Sequence, residues 1–289
     1  MIRRVLSFLW RVISAPFRWI ARPFTRAYAA LTYDADDTSA VDAFSRTLEN
    51  PALLIEHIEA LRGAMLRSLV AFFITTVISF TFATRILDWL AQPIGGIGEL
   101  QAIEVTESVS AFMRVSLLGG FVLAFPYIAF ELFLFIAPGL RRRERFFVIS
   151  TIPAASVLFI AGVAFAYFIM LPVALPFLLS FMGITTVPRP SNYIRFVTGL
   201  LFWIGVAFQF PLVMYLLAAL GIVRARMLAE GWRIAIVAIA ILAAVVTPTI
   251  DPVNMALVMA PMIVLYFLSI GLAAFAERAR GRRAQTEDP

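Results

Sequence analysis

The sequence contains no cysteine and no lysine, and His57 is its single histidine. Disulfides, cysteine-ligated zinc and iron–sulfur clusters are therefore excluded. One histidine also excludes a histidine-based metal cluster within one chain. Neither a phosphate-binding loop nor a nucleophile–base pair is present. We therefore expect no metal, no cofactor and no enzymatic activity.

Charge is also scarce, since charged residues make up 15% of the chain, against about a quarter in soluble domains. Apolar residues make up 62%, and a soluble core in a chain of 289 residues cannot hide that much apolar surface. The composition predicts an all-α, polytopic membrane protein. We attribute the net charge of +6 to cytoplasmic loops and contacts with membrane lipids, not to nucleic-acid binding.

Six apolar stretches predict six transmembrane helices, at about Leu66–Phe82, Val109–Ala137, Phe146–Leu171, Tyr193–Leu220, Ile234–Val246 and Val253–Ala274. Crossing about 30 Å of hydrocarbon takes roughly 20 residues. The second and fourth stretches exceed this length and are expected to tilt or protrude. The fifth falls short, so it would cross only with local bilayer thinning or with a partner beside it.

Prolines inside these stretches predict bent helices, because each proline removes a backbone donor. Bent helices favour a curved, glove-like bundle with a concave face, although proline is also common in membrane helices generally. The prolines concerned are Pro126, Pro153, Pro211 and Pro261.

Arginines gather in alternate loops, which predicts the orientation of the chain. The loops after the second and fourth spans and the C-terminal tail are rich in arginine, whereas Asp88, Glu99, Glu104 and Glu107 occupy the opposite side with Arg85. The positive-inside rule then predicts a multi-pass membrane protein with both termini cytoplasmic.

Composition divides the chain into four predicted segments. Residues 1–32 form a basic, aromatic, amphipathic extension typical of a helix on the membrane surface. Residues 33–50 form an acidic flexible linker, 51–275 the six-helix membrane domain, and 276–289 a cytoplasmic basic tail. The sequence shows no internal repeat, which argues against an inverted-repeat transporter.

Two acidic clusters near the predicted cytoplasmic face are candidate sites. Glu56 and Glu59 flank His57 before the first span, where carboxylates either stabilise a helix N-terminus or bind a cationic ligand. Glu144 lies among four arginines. It is either an internally paired loop charge or an acceptor for an incoming guanidinium.

Polar side chains within the spans are a second group of candidates, because they are costly in lipid and tend to face the bundle interior or a cavity. Glu131, Gln209 and Arg195 are such residues. Gln209 is interpreted either as a contact between two helices of this chain or as a contact with a ligand or partner.

Several short motifs occur in a fixed order. They are His57–Arg62, Thr106-Glu107 with Phe112, Phe135–Leu140 followed by Arg143–Arg145, Gly162–Phe168, Phe208–Pro211, and Thr247-Pro248 with Asp251. With them, the chain from His57 to about Gly271 resembles the TatC family, the multi-spanning receptor of twin-arginine protein translocation.

The resemblance implies a receptor and core component of a protein translocase in the cell (plasma or inner) membrane, driven by the proton-motive force. It implies that Glu144 accepts an arginine of a twin-arginine signal peptide on folded cargo. A second acid near His57 would accept the other arginine, and His57, Arg62 and Phe135 would complete this site. Ala60 occupies the position that is usually acidic, so Glu59, or else Glu56, is expected to replace it.

The resemblance also implies partners within the membrane. Small single-span proteins like TatA and TatB would pack near the last helices, Gln209 and Glu131 would be intramembrane polar or partner contacts, and the chain would self-associate in a translocon. Gln209 stands where the family often has an acid, and Glu131 where a glutamine is expected. The alternative function is a small-solute secondary transporter, which paired intramembrane acids or an inverted repeat would favour.

Overall fold

The computed structural model describes residues 51–136, 142–180, 186–246 and 252–287. Every regular element within these ranges is helical. This confirms the predicted all-α class. The predicted extension and linker, residues 1–50, lie outside the described residues, as do the motif residues 137–141 and 247–251.

The described chain contains nine α-helices, which are α1 Pro51–Ala91, α2 Glu107–Ile136, α3 Arg142–Phe165, α4 Leu171–Leu179, α5 Pro190–Ala207, α6 Phe210–Ala219, α7 Ala225–Glu230, α8 Trp232–Val246 and α9 Pro252–Glu287. A π-helical turn, Ala166–Met170, joins α3 to α4. Two 3-10 turns, Gln92–Ile94 and Ile97–Glu99, follow α1.

Five helical stretches are long and apolar enough to cross a membrane, and they are His57–Ile94, Glu107–Ile136, Thr151–Leu179, Pro190–Ala219 and Pro252–Ala279. The shorter apolar helix Trp232–Val245 lies between the fourth and the last of these. Its 14 residues extend about 21 Å at 1.5 Å per residue, less than the hydrocarbon thickness of about 30 Å. The predicted order of spans, including the short fifth, is confirmed.

The first helix is much longer than the apolar stretch that predicted it. The predicted stretch begins at about Leu66 and ends at about Phe82, whereas α1 covers 41 residues. Polar residues such as Arg62, Arg85 and Asp88 limit the apolar stretch. They do not interrupt the backbone hydrogen bonds that continue the helix.

The prolines differ in their effect on helix continuity. Helices α2, α3 and α9 run through Pro126, Pro153 and Pro261. Pro211 instead lies at the start of α6, directly after a turn at Phe208 and Gln209 that separates α5 from α6. The fourth span is therefore two helices joined beside Gln209.

The described residues group into two compact units. The first unit holds the described residues up to Leu66 and those within Phe130–Ser150, and the second holds Arg67–Ala129 and the described residues from Thr151 onward. In the second unit, the buried core includes Leu90, Val115, Leu171, Ile194 and Ile204.

Two buried tyrosines attach the end of α1 to the rest of the second unit. The Tyr167 hydroxyl donates to the Trp89 carbonyl oxygen at 2.7 Å, and its ring stacks on Trp89 with centroids 3.7 Å apart. The Tyr193 hydroxyl donates to the Leu90 carbonyl oxygen at 2.7 Å. Tyr167 lies in the π-helical turn, which thus aims this hydroxyl at α1.

Glycines allow two pairs of helices to approach closely in the second unit. A Cβ atom on Gly162 of α3 would lie 2.9 Å from Gly205 Cα in α5. A Cβ atom on Gly120 of α2 would lie 2.6 Å from Thr76 Cα in α1. Small residues at such crossings are typical of membrane helices, where packing rather than the hydrophobic effect drives association.

The last helix packs against α6, α7 and α8. Glu277 of α9 caps the short helix α7, because its Oε1 accepts the backbone N–H of Ala225 at 2.8 Å. The Tyr266 hydroxyl donates to the Leu228 carbonyl oxygen. These contacts fix the chain between the fourth and fifth spans.

Candidate functional site

The first unit brings together two residues of the predicted signal-peptide site. The ring of His57, near the start of α1, lies against the ring of Phe135, near the end of α2, with centroids 4.3 Å apart. Glu59 and Arg62 are exposed on α1 within two turns of this contact. The start of the first span and the end of the second are therefore neighbours.

Helix geometry relates the two candidate acids to the position of Ala60. All three residues lie within α1. Positions 56 and 60 are one turn apart and about 40° apart around the axis, whereas 59 and 60 differ by about 100°. Position 56, not 59, therefore shares the face of Ala60, although the side chain of Glu56 is outside the described part of the chain.

Glu144 lies in the first turn of α3, nine residues after Phe135, and it belongs to the same compact unit as His57. Its side chain and those of the surrounding arginines lie outside the described part of the chain. The backbone thus puts the predicted acids of both clusters in one unit.

Glu131 of α2 is a buried carboxylate, with 1% of its surface exposed. It takes part in a polar interaction, so it is not an isolated charge. Phe133, two residues further on, is also buried, at 3% exposure. Glu131 thus faces the protein interior, as intramembrane ionisable groups usually do.

Gln209 is a half-buried amide at the break between α5 and α6. Its Nε2 donates to the carbonyl oxygen of Ala155 in α3 at 3.2 Å. Gln209 also lines a cavity of about 540 Å³ whose other walls are apolar residues of α5, α6, α8 and α9, among them Trp203, Ile239, Leu242, Val258 and Met262. It therefore joins two helices of this chain and also presents polar atoms to an apolar cavity.

Arg195 lines a second cavity, of about 530 Å³, together with Arg114 of α2. Arg195 was among the residues predicted from the sequence, whereas Arg114 was not. The signal for Arg114 was the same, an arginine within a predicted span, here Val109–Ala137.

An ion-pair cluster was also missed, at the ends of the spans opposite to the predicted cytoplasmic face. The Nε of Arg189, just before α5, donates to Glu107 Oε1 at 2.8 Å, and its Nη2 donates to Glu104 Oε1 at 3.1 Å. Only 3% of the Glu107 side chain is exposed. The hydrogen bond to Glu107 and, to a smaller extent, the one to Glu104 raise the pKa of Arg189, which therefore stays charged. The signal was a lone arginine facing acidic residues in the loops of one side.

These features define a multi-pass, all-α membrane protein. Among the polar groups within its spans, Glu131 is buried, whereas Gln209, Arg114 and Arg195 line cavities. In the described part of the chain, no group of three histidine or acidic residues is placed to hold a metal ion.

Comparison with known proteins identifies the family. The sequence profile of the family described as Sec-independent protein translocase protein (TatC) matches residues 56–261. The translocase protein TatC of Carboxydothermus hydrogenoformans is 35% identical over 230 residues, which cover 78% of this chain and 95% of that protein. Its counterpart in Deinococcus radiodurans is 36% identical over 231 residues, 77% of this chain and 86% of that protein.

A solved structure gives the same result. A crystal structure of a twin-arginine translocase receptor, TatC, matches with a TM-score of 0.69 and 33% sequence identity, over 76% of this chain and 99% of that one. The chain therefore belongs to the TatC family, as its motifs indicated, and is a multi-pass membrane component of a Sec-independent protein translocase.

Proposed function

We propose that this chain is the signal-peptide receptor of twin-arginine translocation, with both termini on the cytoplasmic side of the plasma (inner) membrane. The observation that carries the proposal is the contact between His57 and Phe135, at 4.3 Å. It joins the helix start that bears Glu56 and Glu59 to the helix end that leads into Glu144. Acids from two distant chain segments thus belong to one unit, as recognition of two arginines requires.

Carboxylates are the natural partners of paired arginines. A guanidinium binds a carboxylate through two parallel N–H···O bonds, which the point charge of a lysine cannot reproduce. Glu144 accepts one arginine in this proposal. For the second, the helical phase favours Glu56, since it shares the face of Ala60, while Glu59 offers an exposed carboxylate nearby.

The apolar part of the signal peptide and the partner helices need an apolar surface within the membrane. The cavity beside Gln209 supports this, because it is about 540 Å³ in volume and its walls come from the fourth, fifth and last spans. We propose that single-span partners of the TatA and TatB type dock there, that the chain self-associates in the translocon, and that the proton-motive force drives transport.

The test measures peptide binding to the full chain in lipid nanodiscs. A fluorescent twin-arginine signal peptide and its twin-lysine version are titrated against wild type, Glu144→Ala, Glu144→Arg and the double variant Glu56→Ala/Glu59→Ala. Glu230→Ala is the matched control, because Glu230 is an exposed acid that pairs with Arg226 on α7, which belongs to the other unit.

Glu144→Ala and the double variant should each weaken twin-arginine binding about tenfold, since a charge-assisted hydrogen bond contributes about 1.5–3 kcal/mol. Glu144→Arg should weaken it further by repulsion. Binding of the twin-lysine peptide should change little, and Glu230→Ala should behave as wild type. Wild-type affinity and discrimination in the Glu144 and double variants would refute the proposed site. The single variants Glu56→Ala and Glu59→Ala then decide between the two acids.

A further inference from the structure

The cavity lined by Arg114 and Arg195 lies among four helices of the second unit. Its walls come from α1, α2, α5 and α8, and its volume is about 530 Å³. Arg114 is seven residues beyond the start of α2, and Arg195 is five residues beyond the start of α5. At 1.5 Å per residue, the two arginines lie about 10 Å and 8 Å from their helix starts. The ion pair between Glu107 and Arg189 brings these two helix starts together.

Both guanidinium groups are available to a ligand. Arg114 and Arg195 are exposed, and among the described residues neither has a carboxylate or a hydrogen-bond acceptor. The nearby Thr198 hydroxyl, which also lines the cavity, donates to the Ile194 carbonyl oxygen at 2.6 Å. Arginines inside the apolar layer are costly unless an anion or water meets them. Two of them in one cavity therefore favour an anionic occupant.

The rest of the cavity is apolar and lies deeper in the membrane. Phe121 follows Glu107 by 14 residues, so it lies about 21 Å from the helix start. Its ring contacts that of Phe202, with centroids 4.9 Å apart, and faces Phe72 edge-on at 6.1 Å. Leu117 and Val245 in the wall are 44% and 70% exposed, so the cavity opens outward to the surface that the bilayer covers.

We propose that this cavity binds an anionic phospholipid. The phosphodiester accepts hydrogen bonds from Arg114 and Arg195, whose long side chains extend toward the membrane surface, and an acyl chain lies along Phe121 and Phe202. A phosphate between two guanidinium groups satisfies both charges at once. Cationic groups near one membrane surface and aromatic groups beneath them match the two ends of a lipid. The loop that leads into α2 and the start of α5 then lie beside a bound lipid headgroup.

The test counts bound lipids by native mass spectrometry. The full chain is purified in dodecyl maltoside, stripped of lipid, and titrated with phosphatidylglycerol or phosphatidylcholine. Wild type is compared with Arg114→Gln/Arg195→Gln. The matched control is Arg85→Gln. Arg85 is an exposed arginine near the C-terminal end of α1, and it does not line the cavity. Helix content by circular dichroism checks that every variant is folded.

Wild type should bind phosphatidylglycerol about tenfold more tightly than phosphatidylcholine, since both lipids offer a phosphate but the choline cation of phosphatidylcholine repels the two guanidinium groups. The double variant should lose this preference and Arg85→Gln should keep it. Inorganic phosphate should not displace the lipid. The proposal is overturned if wild type binds both lipids equally, if the folded double variant keeps the preference, or if inorganic phosphate competes. If the double variant keeps the preference and also loses a single-span protein that co-purifies with wild type, the two arginines bind a carboxylate of that partner and not a lipid.

Discussion

The guanidinium of Arg189 holds together two segments that are 82 residues apart in the chain. Its partner Glu107 is buried while Glu104 is 68% exposed, so the two ion pairs differ in their importance. Removing one partner of a buried pair leaves an uncompensated charge, whereas an exposed pair contributes little. The start of the second span is thus held by a residue that directly precedes the fourth span.

We predict that Arg189→Gln lowers the melting temperature of the purified protein by several degrees, because Glu107 loses its cation. Glu104→Gln should have a much smaller effect. Arg85→Gln, which changes the same charge on an exposed arginine, serves as the control. Differential scanning fluorimetry in detergent measures all three, and equal melting temperatures for Arg189→Gln and wild type would contradict the role of the cluster.

Gln209 gives a second prediction at the scale of one residue. Gln209→Leu removes the hydrogen bond to Ala155, and interhelical contacts of this kind contribute about 0.6 kcal/mol on average in membranes. Folding and insertion should stay nearly intact, while transport of a twin-arginine cargo should fall. Gln209→Glu should be tolerated, because a protonated carboxyl group also supplies a donor.

Transport is measured in membranes at matched abundance of each variant. Val213→Leu is the control, since Val213 lines the same cavity and both residues are apolar. Normal transport by Gln209→Leu would mean that the amide is only a packing contact between α3 and the break that separates α5 from α6.

The crossing of α3 and α5 shows how glycine sets the distance between two elements. A methyl group on Gly162 would lie 2.9 Å from both Gly205 Cα and the Ile204 carbonyl oxygen, so the backbones would have to separate. Gly162→Ala should destabilise the protein by about 1–3 kcal/mol, the usual effect of overpacking. It should also reduce the yield of folded protein, which fluorescence-detection size-exclusion chromatography measures.

Gly271→Ala is the matched control, because nothing lies within 4 Å of a Cβ atom at Gly271 in α9. It should be neutral or slightly stabilising, since alanine favours a helix over glycine by about 1 kcal/mol. Equal stability of the two variants would show that α3 and α5 are free to move apart.

Elements could be predicted from the sequence where apolar content decides them. The six spans and the break beside Pro211 follow from apolar stretches and from a residue without a backbone donor. The ends of α1 could not be predicted in this way, because its backbone hydrogen bonds continue past Arg62 and Asp88. The π-helical turn was also missed, since its Tyr167 contacts Trp89, which is 78 residues away and which no local sequence pattern indicates.

For the candidate site, the motifs indicated which residues matter but only the fold brings them together. His57 and Phe135 were expected in one site, and their rings are in contact. Arg189 and Glu107 were visible only as opposite charges on one side, because no periodicity in the sequence says which loops meet. Arg114 remained unnoticed within an apolar stretch until the cavity joined it to Arg195.

For the whole molecule, the arginine bias predicts one orientation in the membrane. We expect green fluorescent protein fused after Pro289 to fluoresce and alkaline phosphatase fused at the same point to be inactive. Both results are expected when the C-terminus is cytoplasmic. The positive-inside rule is the physical basis. Fusions after Gly96, which follows the first span, should give the opposite pair of results. An active phosphatase after Pro289 would overturn the orientation.

The π-helical turn at Ala166–Met170 has a consequence for how the length of the third span can vary. An i→i+5 bond encloses one residue more than the α-helical i→i+4 bond, so the turn absorbs an extra residue without rotating the helix on either side. Loss of one residue there would leave Phe159 and Leu171, both fully buried, on their present faces. Loss of one residue within α3 would rotate everything beyond it by about 100° and turn Leu171 out of the core. Single-residue insertions and deletions among homologous third spans should therefore concentrate at this turn, and a homologue without the extra residue should lack the hydrogen bond from Tyr167 to α1.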